Sequence, residues 1–339
     1  MRSIKVLDLD YQEPINFFKK LKGLNGLVYL DSAGNDKKLN QFSYIAALPV
    51  LKIKKRQNEI FIDAKKSQDT FFQILDGLLR SLKIKKIFGL PSFQCGLAGF
   101  ISYESCLEIE NINNVKNSTY NFDDIWFGLY DVVFAFDHKK KKVYLFSVNL
   151  DDYQESTNNL SNENKIEYLK KIYFRNNTNC ETVKNSNFDW EPYQDKESYK
   201  KSINRILDYI NAGDIFQANF THCFTAKSNS ALDHFDTYLN FREKTCTPFS
   251  AFISNNDVES VCSFSPERFL SLDNCKIMAA PIKGTNPRGL TEKKDKVLIS
   301  DLVNSKKNLA ENLMIVDVLR NDISRVSISG SVEVEKLAS

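Results

Sequence analysis

Disulfide spacing, metal-ligand spacing and long apolar runs are all missing from this 339-residue chain, and each absence removes a class of function. The seven cysteines (Cys95, Cys106, Cys180, Cys223, Cys246, Cys262, Cys275) lie far apart with no C-x-x-C pair. They read as reduced thiols of a cytoplasmic protein rather than as a disulfide framework. Histidine occurs only at His138, His222 and His234, without metal spacing and without a persuasive Ser/His/Asp or Cys/His set. There is no P-loop and no Rossmann glycine fingerprint, and a glutaminase site inside this chain is not expected. The opening residues MRSIKVLDLD lack an apolar h-region, and no apolar run is long enough to span a bilayer. Charge of one sign is also lacking: 46 basic and 43 acidic side chains leave a formal charge of +3. Neither nucleic acid nor a membrane surface is an expected partner.

What is present is ordinary globular composition, 42% hydrophobic and 26% charged, arranged in three stretches. Residues 1–150 alternate short apolar runs with turn chemistry, the pattern of a β-rich lobe. Strands are expected at Leu27–Leu30, Tyr44–Leu48 and Glu59–Ile62. Asp131–Phe136 and Val143–Val148 flank His138 and Lys139–Lys142, predicting a hairpin with a solvated tip. Residues 151–190 are rich in Asn, Ser, Asp, Glu and Lys and read as a polar linker or surface excursion, with a short helix near Lys165–Tyr173. Residues 191–339 open on helical spacing at Tyr199, Ile203, Ile206, Leu207 and Ile210, which Gly213 stops. Alternation from Phe216 to Phe224 predicts a strand. Phe249–Ser254 and Val258–Phe264 predict a hairpin, and Lys276–Ala280 a strand running into Pro281. Leu309, Leu313, Val316 and Arg320 share one helical face, and Ser327–Val334 reads as a strand. With no βαβ rhythm, the class is α+β.

Three stretches combine backbone-stiffening residues with ionisable groups. In Ser263–Leu270, Glu267 follows Pro266 where a strand is bent. It suits a general acid if its surroundings raise its pKa, or else a surface ion pair with Arg268. In Pro281-Ile-Lys-Gly-Thr285, followed by Asn286-Pro-Arg-Gly289, a rigid loop carries Lys283. That lysine is either a positioned amine whose pKa must fall from about 10.4 before it can attack, or a solvated loop side chain. In Ala310–Asp322, Glu311 can contribute one oxygen to a hard cation such as Mg²⁺, or simply belong to a solvated helix face.

In this order the chain resembles the chorismate-utilising family, through GDIFQANF (Gly213–Phe220), FSPERFL (Phe264–Leu270), PIKGT (Pro281–Thr285) and AENLMIVDVLRNDISRV (Ala310–Val326). A looser likeness runs through Val28–Ser32, Gly96–Tyr103 and Trp126–Tyr130. The family includes anthranilate, aminodeoxychorismate, isochorismate and salicylate synthases. The resemblance implies a two-lobed antiparallel β-sheet sandwich with helices on the outside. Lysine at 283, where most branches carry alanine, marks the aminodeoxychorismate synthase branch, which serves para-aminobenzoate and folate synthesis. It implies Lys283 as nucleophile, Glu267 as acid, Gly284 and Thr285 as substrate contacts and Glu311 as a Mg²⁺ ligand. Ammonia would come from a glutamine amidotransferase subunit. The family's tryptophan pocket maps to Ser32, Leu39, Asn40, Gln41, Phe42, Pro248, Phe249 and Ser250. The alternatives are the anthranilate synthase branch and a non-catalytic tryptophan-binding module.

The chain departs from the family chiefly at its end. Relatives continue past the position of Ser339 with a histidine, a glycine-rich loop, Arg and Tyr contacts and a second metal-binding glutamate. The expectation is therefore a C-terminally incomplete catalytic domain, inactive by itself and poorly soluble.

Overall fold

A computed structural model describes residues 1–34, 40–110, 122–154, 160–176, 188–227, 233–255 and 259–335. Its chain forms two compact units: Met1–Thr178 together with Thr245–Ser339, and Asn179–Lys244. The sequence places its own divisions at residues 150 and 190.

The first unit begins with β1 (Arg2–Ser3), β2 (Lys5–Leu9), α1 (Pro14–Lys20), β3 (Val28–Asp31), β4 (Phe42–Ala46), β5 (Leu51–Arg56), β6 (Glu59–Ile62) and β7 (Lys65–Ser67). Next come α2 (Phe71–Leu82), β8 (Ile84–Lys85), β9 (Gly96–Ile101), β10 (Ile125–Tyr130), β11 (Val132–Asp137), β12 (Lys142–Ser147) and α3 (Asn162–Phe174). The second unit holds β13 (Asp189–Pro192), α4 (Lys196–Ala212), β14 (Phe224–Lys227) and α5 (His234–Thr245), whose last residue belongs to the first. The chain then adds β15 (Phe249–Ser254), β16 (Ser260–Ser265), β17 (Arg268–Asp273), β18 (Lys276–Ala280), α6 (Glu292–Val303) and α7 (Lys306–Ser324) to the first unit.

Two antiparallel sheets form its centre. A seven-stranded sheet runs β16-β15-β3-β4-β11-β12-β2, and a five-stranded sheet runs β7-β6-β5-β10-β9. The sequence of β11, Val-Val-Phe-Ala-Phe-Asp, has no polar face because both of its faces are covered. Val133 clusters with Trp126 and Tyr130 of the five-stranded sheet and with Val28, Ala46 and Ile253. Phe134 points the other way, 4.6 Å from the Phe17 ring of α1 and 5.6 Å from Tyr173 of α3. Pro14 at the first position starts α1, and Phe17 and Phe18 are fully buried. Each contributes roughly 1.5–3 kcal/mol by leaving water. A capping box of Thr70 and Gln73 starts α2, which lays Phe71 and Ile74 over the five-stranded sheet.

The Ser161-capped α3 is not a surface excursion. Leu169 and Tyr173 are buried, and Lys165 enters the core to meet Asp131 at 2.6 Å. Asn162 donates to the other Asp131 oxygen at 2.8 Å and to the Val148 carbonyl at 3.1 Å.

Two predicted strands do not form. Residues 215–223 are irregular, and β14 pairs with β13 only across Phe224–Lys227. Alternation makes a strand only when a neighbour completes the ladder, and among the described residues no strand pairs with 215–223. Ser327–Val334 is likewise without strand pairing. In α6 and α7 no residue is buried.

Candidate active site

The stretch from β16 to α7 builds one loop cluster from three of the motifs. At the end of β16, the Ser265 hydroxyl accepts from the Glu267 backbone N–H at 3.1 Å and donates to the Glu267 carbonyl at 2.9 Å. This side-chain turn, with Pro266 inside it, swings the chain into β17. Glu267 is exposed, and its Oε1 accepts the Ile282 N–H at 3.2 Å. The carboxylate is thereby tied to the residue before Lys283, which is half-buried where β18 has ended.

Gly284 explains why the loop can turn here. Its φ is +77°, and a β-carbon would lie 2.9 Å from the Asn308 side chain and 3.1 Å from Leu302 Cδ1. The loop thus packs onto α6 and the first turn of α7. Glu311 lies three residues beyond Asn308, on the same helical face. Its side chain is 38% exposed and stands 3.9 Å from Lys307, too long for a hydrogen bond. Thr285 is exposed.

The loop's far end is clamped. Arg288 donates two hydrogen bonds to Asp295, at 2.8 and 2.6 Å, and the Gly289 N–H adds a third at 2.8 Å. The Arg288 guanidinium and this backbone donor hold the Asp295 carboxyl down at about 2.

Mg²⁺ commonly takes one or two protein carboxylates and completes its shell with water and ligand oxygens. Glu311 fits as one such ligand. Among the described residues no group of three or more His, Cys, Asp or Glu side chains stands ready to enclose a metal.

A second cluster lies where β3, β4 and β15 meet. Ser250 pairs with Asp31 across β15 and β3, and both are buried. Asp31 accepts the Tyr29 hydroxyl at 2.7 Å. The Ser32 hydroxyl donates to the Phe42 carbonyl, and the Gln41 carbonyl accepts the His138 N–H at 2.9 Å. Asn40 is only 8% exposed, yet among the described residues neither its amide nitrogen nor its amide oxygen has a hydrogen-bond partner. A β-carbon on Gly34 would sit 2.8 Å from that nitrogen and 3.2 Å from the Pro248 backbone nitrogen, so Gly34 leaves room for the amide. The Phe249 ring lies 5.1 Å beneath the Arg268 guanidinium, next in sequence to Glu267. Leu39 lies outside the described residues.

His138 is the residue that sequence reasoning misplaced. Lys139–Lys142 form the solvated tip, but the His138 ring turns inward between Tyr11 Oη, at 3.0 Å, and Ser43 Oγ, at 2.8 Å. Its partners stand 127 and 95 residues away in sequence, so no local spacing signals them.

A sheet sandwich whose edge hairpin feeds a Glu–Lys–Gly loop against a carboxylate-bearing helix is the frame in which the three motifs meet. The profile of chorismate binding enzymes matches residues 28–339, and the chain belongs to that family. It is 28% identical over 327 residues to aminodeoxychorismate synthase component 1 of Escherichia coli, covering 95% of this chain and 68% of that protein. It is 26% identical over 345 residues to anthranilate synthase component 1 of Acetivibrio thermocellus, covering 97% and 68%. The crystal structure of anthranilate synthase component I from Streptococcus pneumoniae superposes with a TM-score of 0.72 at 26% identity, over 87% of this chain and 64% of that one. The chain thus spans about two thirds of the length of these relatives.

Proposed function

We propose that the chain is component I of an aminodeoxychorismate synthase, replacing the C4 hydroxyl of chorismate with an amino group. The observation that carries this reading is Lys283 at the end of β18, beside the backbone amide that Glu267 holds. Replacement with retained stereochemistry needs two displacements. The lone pair of the Lys283 amine attacks C2, both conjugated ring double bonds shift, and the C4 hydroxyl departs as water with a proton from Glu267. Ammonia then attacks C4, both double bonds shift back, the Lys283 amine is expelled, and the new ammonium returns a proton to Glu267. Glu311 would help hold Mg²⁺, which supplies positive charge to a substrate carboxylate. Gly284 brings backbone close to the substrate beside Thr285, and a glutamine amidotransferase subunit would supply the ammonia.

The test, run on the chain extended to the full length of its relatives, is incubation with chorismate and Mg²⁺, with and without ammonium, followed by intact-mass and peptide mapping and product chromatography. The expected result is an adduct on Lys283, absent from Lys283→Ala, and 4-amino-4-deoxychorismate as the amination product. Anthranilate as product, or an unchanged reaction in Lys283→Ala, overturns the reading. Anthranilate is the outcome of the second reading, favoured by relatives such as the Acetivibrio protein at similar identity.

The cluster at Ser32, Asn40–Phe42 and Pro248–Ser250 is proposed as a pocket for a free α-amino acid, with tryptophan as ligand and Leu39 as a further member by family likeness alone. Its support is the orphaned Asn40 amide, whose donor and acceptor match an α-carboxylate and an α-ammonium.

A further inference from the structure

We propose that Asp295 is a positioning residue for Lys283, fastening the loop that carries the amine along α6 so that the amine is presented to the substrate. This rests on the reading of Lys283 as nucleophile above. Asp295 lies outside every motif that marks the site. Among the described residues the Lys283 amine has no hydrogen-bond or ion-pair partner. Its place is therefore set by the backbone that bears it.

That backbone is fixed on one side by Glu267, which accepts the Ile282 N–H at 3.2 Å. On the other side it is laid along α6. Gly284 sits against Leu302, near the helix's last residue. The Asn286 amide donates to the Leu298 carbonyl at 3.3 Å, in mid-helix. Arg288 and Gly289 reach Asp295 in the first turn. The loop thus runs antiparallel to α6, and its contacts fall on alternate residues, 284, 286 and 288. Two residues of extended chain span about 6.6 Å and one helical turn about 5.4 Å, so successive contacts can meet successive turns. Thr285 lies between two of these contacts, and Lys283 directly before the first.

Of these contacts the one at Asp295 grips hardest. Gly284 contributes only close approach, and the Asn286 bond is a single one at the long end of its range. Asp295, with its side chain 16% exposed, accepts both hydrogen bonds of the Arg288 fork and the Gly289 N–H as well. An exposed ion pair alone would hold little, but the backbone donor ties the main chain itself to the helix. Gly289 has no slack. A β-carbon there would lie 2.6 Å from Asp295 Cα and 2.7 Å from the Lys294 carbonyl carbon. Its φ is not in the left-handed region, so the approach to α6, not the backbone conformation, demands glycine. Held at both ends of α6, the loop leaves the Lys283 backbone few arrangements to sample. Displacing a reacting group by about 1 Å can cost on the order of 10²-fold in rate.

The experiment follows adduct formation on Lys283 by rapid quench and peptide mapping, with chorismate and Mg²⁺, in the chain extended to the full length of its relatives. The variants are Asp295→Ala, which removes the carboxylate, and Gly289→Ala, which lifts the loop from α6 without touching a charge. Both should lower the adduct rate at saturating chorismate about tenfold or more, with the half-saturating concentration changed by about twofold at most. Amide hydrogen exchange across residues 283–289, read on the chain itself, should speed up in both. An unaltered adduct rate overturns the positioning role and leaves Lys283 as nucleophile. So does unchanged exchange, or a raised half-saturating concentration with an unaltered maximal rate. Absence of any adduct on Lys283 in the unaltered sequence overturns the nucleophile reading and this proposal together. If Asp295→Ala fails to fold, Gly289→Ala and Arg288→Gln, the latter altering an exposed side chain, decide: undiminished rates in both overturn the role.

Discussion

Lys165 enters the core as an ion pair, with side-chain exposure of 2% against 1% for its partner Asp131. Removing one member of such a pair strands the other, which costs about 3–5 kcal/mol. Lys165→Met is therefore expected to lower stability by about that much in denaturant or thermal unfolding. Adding Asp131→Leu should restore much of the loss, because no charge is then stranded. An undiminished deficit in the double variant would show that packing, not charge, dominates there. Nothing in the sequence distinguishes Lys165 from the solvated lysines of the same helix, Lys170 and Lys171. Its partner stands 34 residues away, so its role depends on how α3 docks against β11. The His138 environment escaped for the same reason: the polar groups that define it are brought in from distant parts of the chain. Glu267 and Lys283 were easier to find because proline and glycine mark the backbone around them.

Helices and hairpins with local signals were legible. Gly213, at φ +82°, ends α4 as expected, and β18 spans Lys276–Ala280 as its alternation predicts. Leu309 and Leu313 both lie on α7. The Phe216–Phe224 alternation misled because a strand is a property of a pair, and its own residues reveal nothing about the partner. At the same scale, the loop after Thr285 is anchored to α6 by Arg288 and Asp295. A carboxyl held at about 2, below its ordinary 3.8, stabilises the folded state above the unfolded value. That contribution is lost as pH falls through about 2. In Arg288→Gln the largest cause of the depression disappears. Asp295 should then titrate closer to 3.8 in a carboxyl NMR titration, and a value still near that of the unaltered protein would assign the effect to the Gly289 N–H instead.

Across the molecule, apolar side chains are distributed unevenly. The N-terminal strands enclose a dense core, whereas Phe269 is 82% exposed, Leu290 95%, Val326 73% and Ile328 83%. Surfaces of this kind bind apolar dyes and promote association. The protein is expected to enhance anilinonaphthalene sulfonate fluorescence under native conditions, and Phe269→Ser with Ile328→Ser should reduce the signal. Fluorescence equal to that of dye in buffer would show that these side chains form no receptive surface. The pairing of β15 with β3 carries a further consequence, one of timing. Asp31 meets Ser250 and Val28 meets Ile253, so one side of β3 has no partner until nearly all of the intervening chain exists. Closing so long a loop is entropically slow, and an emerging chain would present that open strand edge to other nascent chains throughout synthesis. The interior strand that anchors the proposed pocket in the folded protein is thus the one that waits through the longest stretch of chain for its second neighbour.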